Sequence, residues 1–184
     1  MAAMRLLMIA AVCLWLAAPL RADVSQCACD PSKPETMQAR NCSLCAEAEK
    51  QAGNAEFFLL KDINPRKPNR WLALPRAHRP GAHELRDYPK PVRDALWRFA
   101  VQAAREKFGD EWGIAYNGSE VRTQCHLHLH IGRFVRAAET GRFLFVRRLE
   151  EIPAPEAGGL WVHPVAGGYH VHLGEQITET ALVR

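Results

Sequence analysis

Residues 125–134 read Cys125-His126-Leu127-His128-Leu129-His130-Ile131-Gly132-Arg133-Phe134. Polar and apolar side chains alternate without a break from His126 to Ile131. In a β-strand, residues i, i+2 and i+4 share one face. The spacing therefore predicts a strand over Cys125–Phe134 with three imidazoles in a row, neighbours about 7 Å apart. Leu127, Leu129 and Ile131 then point into a core. A helix would scatter these residues, because i and i+2 lie on different faces. One histidine on a strand is ordinarily a surface or hydrogen-bonded core residue; three in register ask for a chemical reason.

The elements around this strand follow from their own patterns. Glu56–Lys61 (EFFLLK) and Arg70–Leu74 (RWLAL) are short apolar runs, and the turn Asp62–Asn69 between them holds Pro65 and Pro68; together they predict a hairpin. Pro91–Lys107 carries Val92, Leu96, Phe99, Ala100 and Ala103 at near 3.6 spacing, and Gly109 closes the helix. Trp112–Tyr116 and Phe143–Arg147 read as strands, and Leu160–His163 with Tyr169–Leu173 as a last pair around Gly167-Gly168. Residues 42–52 have helical composition, and residues 23–41 form a polar, cysteine-containing loop. The expected fold is α+β: an antiparallel sheet of about five or six strands with one main helix across it. Trp71, Trp97 and Trp112 are expected in its core.

At 184 residues the chain suits one domain, and 24% charged residues place it among ordinary globular proteins rather than disordered or multi-span chains. Its start has the layout of a secretory signal. Arg5 is the basic residue, Leu6–Ala18 is an unbroken apolar run, Pro19 breaks it, and Ala22 offers a small residue at the cut. Thirteen apolar residues fall short of the ~20 needed to span a bilayer, so residues 1–22 read as a signal peptide, with an N-terminal anchor over residues 6–20 as the alternative. The remainder is expected outside the cytosol, periplasmic or extracellular. Taking Arg5 and Arg21 from the 24 basic residues leaves 22 against 20 acidic ones, a net charge of +2. That is too weak to argue for a nucleic-acid partner. Of the cysteines beyond the signal, Cys27, Cys29, Cys42 and Cys45 crowd together, and an oxidising compartment suggests two disulfides among them in one of three pairings, leaving Cys125 over.

Three aligned imidazoles suit metal ligation or phosphoryl transfer by a histidine nucleophile. The preceding segment holds Asn117, Ser119, Arg122, Thr123 and Gln124, with Glu120 its only carboxylate. A guanidinium fork and neutral hydrogen-bonding side chains favour an anion over a cation.

The His-apolar-His-apolar-His-apolar run resembles the signature of the histidine-triad (HIT) superfamily of nucleotide hydrolases and transferases. Arg122-Thr123-Gln124-Cys125-His126-Leu127-His128-Leu129-His130 is similar to the corresponding stretch of the CDP-diacylglycerol diphosphatases. Cys45-Ala46-Glu47, Leu60–Asn64, Leu72–Pro75, Gly158-Gly159 and Ile177-Thr178-Glu179 also look like parts of that branch, so the resemblance covers most of residues 42–184. It implies a HIT-like catalytic domain over 42–184. It implies a hydrolase that cleaves CDP-diacylglycerol, or another nucleotide conjugate, at a phosphoanhydride bond without a cofactor. His128 would be the nucleophile, His126 and His130 would orient it and move protons, and Asn117, Arg122, Thr123 and Gln124 would hold phosphate oxygens. It also implies contact with a membrane surface, and dimers. Chains of that branch run on past the point matching Arg184, so part of their lipid grip is expected to be absent here.

Some relatives bind zinc with a C-x-x-C pair and two histidines, which here would be Cys42, Cys45, His78 and His126. The rival reading from another class is an exported metal-binding protein using His126, His128 and His130 with His170 and His172. On its own, Tyr169-His170-Val171-His172 beside His163 reads as a solvated strand face near a Gly-rich turn. His83 reads as a surface residue, and Trp161 as a candidate for an exposed ring at a lipid surface.

Overall fold

The computed structural model describes Val24 and residues 27–51, 53–78 and 81–184. The expected signal over residues 1–22, with the alternative anchor at 6–20, lies outside the described residues. Among the described residues, no helix is long and apolar enough to cross a membrane.

The chain forms an α+β domain around one antiparallel sheet of seven strands, larger than the five or six expected. The strands are β1 (Phe57–Lys61), β2 (Trp71–Pro75), β3 (Trp112–Tyr116), β4 (Leu129–Arg133), β5 (Leu144–Val146), β6 (Leu160–Val165) and β7 (Gly168–Leu173). Their order across the sheet is β1-β2-β4-β3-β6-β7-β5. Both expected hairpins form, β1 with β2 and β6 with β7. Gly167, with φ at +80°, makes the tight return between β6 and β7. The extra strand is β5, three residues pairing with the outer edge of β7. Among the described residues, two α-helices accompany the sheet: α1 (Ser43–Glu49) and α2 (Lys90–Phe108).

Helix α2 ends at Gly109, whose N–H bonds the Arg105 carbonyl at positive φ. It buries Leu96, Trp97, Ala100, Val101, Ala103 and Ala104, a stripe at i, i+1, i+4, i+5, i+7 and i+8. This stripe packs with Leu127, Leu129, Ile131, Ile114, Val162 and Val171. Burying Leu96 alone contributes about 1.5–3 kcal/mol. Trp97 and Trp112 are fully buried there, whereas Trp71 is half-buried beneath the Lys107 ammonium.

The opposite face of the sheet carries Ala115, Trp161 and the histidines, under a C-terminal segment that buries Ala181 and Leu182. A side chain at Gly113 would strike Leu182, which shows how closely that segment lies on β3. Trp161 is buried here and stacked on His172, so it is not the lipid-facing ring considered above.

The triad strand is shorter than its alternation suggests. Only Leu129–Arg133 joins the ladder; Cys125–His128 runs outside it. The register pairs Ala73 with Leu129, and two residues on Pro75 has no N–H to donate. The approach segment is held by other contacts: the Cys125 N–H bonds the Asn41 carbonyl, and the His126 ring bonds the Pro75 carbonyl.

The disulfides differ from the expected pairing. Cys27 bonds Cys125, and Cys29 bonds Cys42; Cys45 is the free, buried thiol. Helix α1 turns Cys45 inward towards His78 and His126, while Cys125 meets the N-terminal segment. Two disulfides are compatible with an exported protein. The Cys27–Cys125 bond spans 98 residues of sequence and ties the segment before the triad to the N-terminus. Constraining a loop of that length stabilises by up to about 5 kcal/mol in the chain-entropy model. Alkylation of the denatured, unreduced protein is expected to label Cys45 alone among Cys27, Cys29, Cys42, Cys45 and Cys125, and all five after reduction. Peptide mass mapping reads the result, and label on Cys125 before reduction would refute this pairing.

Candidate active site

A cleft of about 810 Å³ opens beside β4. The end of β1 supplies Lys61, and the β1–β2 turn supplies Asp62, Asn64 and Lys67; the segment after β3 supplies Asn117, Arg122, Thr123 and Gln124; β4 and its approach supply His130 and His128; the C-terminal segment supplies Glu179. Six of the seven residues predicted from sequence therefore line one cavity, and His126 does not.

The His128 Nδ1 lies 2.8 Å from the His126 backbone carbonyl. A carbonyl only accepts, so Nδ1 carries the hydrogen and Nε2 of the neutral ring keeps its lone pair. The His130 ring stands edge-on to His128 with centroids 4.9 Å apart. His126 points elsewhere: its Nε2 donates to the Pro75 carbonyl at 2.6 Å, and its ring stacks on His78 at 5.8 Å. What His126 gives His128 is a main-chain acceptor, and its side chain braces the end of β2.

Burial sets the charge of the triad. It pulls His126 and His128 down to about 4 and His130 well below the usual imidazole range. All three are neutral at pH 7, as a nucleophilic imidazole requires. The same shift penalises folding in acid. Below an unfolded pKa near 6.5 the unfolded chain takes up protons that the folded protein refuses until about pH 4. Stability is therefore complete above pH 6.5 and falls as pH drops towards 4, by about 1.4 kcal/mol per unit for each such histidine. Urea unfolding at pH 7 and pH 5 is expected to show the loss before most carboxylates titrate. Equal midpoints at the two values would contradict the buried, neutral triad.

Arg122 is buried at 2% exposure. Its Nη1 donates to the His83 carbonyl at 2.6 Å, and its guanidinium lies over the Tyr116 ring. Among the described residues, its Nε and Nη2 have no hydrogen-bond partner. His83 is tied into this network through its Nδ1 contact with the Cys125 carbonyl, rather than standing free on the surface. Thr123 is exposed at the cleft wall.

Gln124 is otherwise engaged: its side-chain oxygen accepts from the Ser43 hydroxyl and the Leu44 N–H, and its amide donates to the Arg40 carbonyl. It pins the start of α1 to the cleft. Asn117 faces two ways. Its Oδ1 accepts from the Thr178 N–H and hydroxyl and from the Glu179 N–H, and its Nδ2 lies 3.4 Å from His130 Nε2. It positions His130 and the C-terminal segment.

The sequence reading did not place Glu179 in the site. One of its carboxylate oxygens lies 2.5 Å from Lys67 Nζ, 3.1 Å from Arg70 Nη1 and 3.7 Å from His130 Nδ1. Arg70 is itself buried, and it also donates to the Glu179, Leu182 and Val183 carbonyls. Its one trace in the sequence is the stretch Ile177-Thr178-Glu179, whose local pattern gives the carboxylate no role.

The four-ligand zinc set does not assemble, because Cys42 is in a disulfide. Cys45, His78 and His126 do bring ligand atoms within 4.8 Å of one another, and both ring nitrogens of His78 lack hydrogen bonds. Burial pushes the Cys45 thiol up to about 12, and His126 Nε2 is already committed to Pro75. The histidines of the rival metal-binding reading fall into separate groups: His126 lies with Cys45 and His78, and His170 and His172 lie with Glu139 and His163. His163 and His172 are buried, which overturns their reading as a solvated strand face.

A scan against protein-family models finds no match for this chain, and neither does a search of curated proteins.

Proposed function

We propose that the protein is an exported hydrolase of histidine-triad type that cleaves the phosphoanhydride bond of CDP-diacylglycerol to CMP and phosphatidate. The observation that carries this reading is the pairing of a neutral His128, its Nε2 lone pair free, with the unpartnered donors of buried Arg122 in one cleft. The His128 Nε2 attacks one phosphorus of the anhydride, the bridging P–O bond breaks, and the leaving phosphate carries away the electron pair. Arg122, with Thr123 at the cleft wall, meets the charge that shifts onto phosphate oxygens. His130, held by Asn117 and facing Glu179, moves the proton. Water then attacks that phosphorus as the phosphorus–nitrogen bond breaks: the electron pair of that bond returns to Nε2, one proton of the water passes out through His130, and the second product leaves a neutral His128.

A lipid-linked substrate is favoured by the cleft rim, where Ile63 is 93% exposed within the turn between Lys61 and Lys67. An exposed apolar side chain on the rim that carries the Lys61 ammonium suits acyl chain and phosphate together; the Lys67 ammonium is held by Glu179. Export places the enzyme beside a membrane surface, where such a substrate resides. Cleavage of another nucleotide conjugate is the variant of this reading that shares all its chemistry.

The test is CMP release from CDP-diacylglycerol micelles by the purified protein, with and without EDTA. Release that persists in EDTA is expected, because the attacking group is an imidazole. Absence of release, with other cytidine diphosphate esters and dinucleoside polyphosphates also intact, would overturn the proposal.

A further inference from the structure

A second histidine cluster shares no residue with the cleft. The register pairs Trp161 with His172 and His163 with His170, so alternate residues of β6 and β7 set three imidazoles on the face away from α2. Glu139, from the connection between β4 and β5, reaches over them. Each imidazole is backed by an aromatic ring: His172 on Trp161 at 3.5 Å, His163 on Phe134 at 4.0 Å and His170 on Phe143 at 3.6 Å.

Their nitrogens converge on one carboxylate. His172 Nε2 lies 3.0 Å and His170 Nδ1 3.4 Å from Glu139 Oε1, and His163 Nε2 meets Oε2. His163 Nδ1 faces the Pro164 carbonyl at 3.2 Å, so it carries the hydrogen and Nε2 holds the lone pair. His172 Nδ1 is held by the Thr140 hydroxyl at 3.3 Å. The Nε2 atoms of His163 and His172 are both buried and have no hydrogen bond of normal geometry. A lone pair set against a carboxylate is repulsive unless a proton or a metal ion lies between them, and three imidazole nitrogens facing one carboxylate form the donor set of a metal site.

We propose that Glu139, His163, His170 and His172 form a binding site for a divalent metal ion of the zinc class. Three imidazoles and one carboxylate suit zinc or copper, whereas calcium and magnesium take oxygen ligands. The four ligand atoms lie within 4.8 Å of one another. Donors around tetrahedral zinc sit about 3.4 Å apart, given bonds of ~2.0–2.1 Å. Glu139 and His170, the more exposed members, have room to close that difference. The Nδ1 contacts of His163 and His172 are the outer-shell bonds that fix ligand tautomers. A pocket of about 300 Å³ lined by Glu139, His163 and Glu111 gives an entry path. Four protein ligands make a closed, structural site. The ion would clamp the β4–β5 connection onto the β6–β7 hairpin.

This inference does not rest on the proposed hydrolase. The test uses the purified, chelator-stripped protein carrying Cys45→Ser, which removes the other cysteine–histidine group as a competitor. Titration with Zn²⁺ alone is expected to show one ion bound per chain. Saturating zinc is expected to raise the thermal midpoint by about 5 °C or more. Glu139→Gln and His170→Ala alter partly exposed side chains, and each is expected to weaken binding at least tenfold and abolish the thermal shift with far-UV circular dichroism unchanged. Failure of Cys45→Ser to take up zinc at micromolar concentration, or equal uptake by the Glu139→Gln and His170→Ala variants, would overturn the site. CMP release by Glu139→Gln is expected to match the parent, so failure of this site and failure of the hydrolase reading are told apart.

Discussion

His128→Ala is expected to abolish CMP release from CDP-diacylglycerol, with a loss in kcat of about a thousandfold or more. Removing the nucleophile of a covalent mechanism leaves only binding and charge stabilisation, which cannot supply the missing bond. His126 is not placed to substitute, since its Nε2 is spent on the Pro75 carbonyl. His130 sits behind His128 and is held between Asn117 and Glu179. Leu129→Val is the matched control. Leu129 is fully buried on the α2 side of the same strand, so the change costs about 1 kcal/mol of stability and leaves the cleft intact. Circular dichroism and thermal melts of both variants separate folding from chemistry. Retention of more than a few per cent of activity by folded His128→Ala would remove the nucleophile from His128 and the covalent step with it.

The parts of this molecule that were legible in the sequence are those set by local periodicity. Helix α2 and the two hairpins follow from spacing and turn residues alone, and each forms within a residue or two of its expected bounds. The alternation at 126–131 brought His128 and His130 to one cavity with the polar segment before them. Where the structure departs from the local pattern, a distant partner decides the outcome. His126 obeys the alternation in sequence, yet Pro75 interrupts the ladder and takes its ring as a donor. Cys125 pairs across 98 residues with Cys27, which no spacing rule reveals. Glu179 reaches His130 and Arg70 only because the C-terminal segment crosses the sheet at Gly113 and Gly132. The cluster around Glu139 needs the β6–β7 register together with the β4–β5 connection, so His170 and His172 alone resemble an ordinary wet strand.

Arg122→Lys is the second substitution with a large expected effect. Arg122 holds a buried positive charge with two donors, Nε and Nη2, that no group among the described residues satisfies. Each unsatisfied buried donor costs about 1–3 kcal/mol, and the Tyr116 face with the single bond to the His83 carbonyl does not offset two of them. That arrangement is consistent with a donor pair kept for an anion that arrives from the cleft. Lysine preserves the charge but not the planar fork, and its ammonium presents a point charge on a flexible stem. Loss of one preorganised donor to a developing oxyanion typically costs 10²–10³ in kcat, and a loss of about that size is expected here. KM should change much less, because charge grows on the phosphate oxygens mainly in the transition state. The thermal midpoint should hold or rise, since the unpartnered guanidinium atoms are gone. Steady-state kinetics and a melt on the same preparation decide the matter. A folded Arg122→Lys protein within threefold of the parent kcat would mean that Arg122 is a structural cation serving Tyr116 and His83, and the anion site would have to be sought at Lys61 on the cleft rim instead.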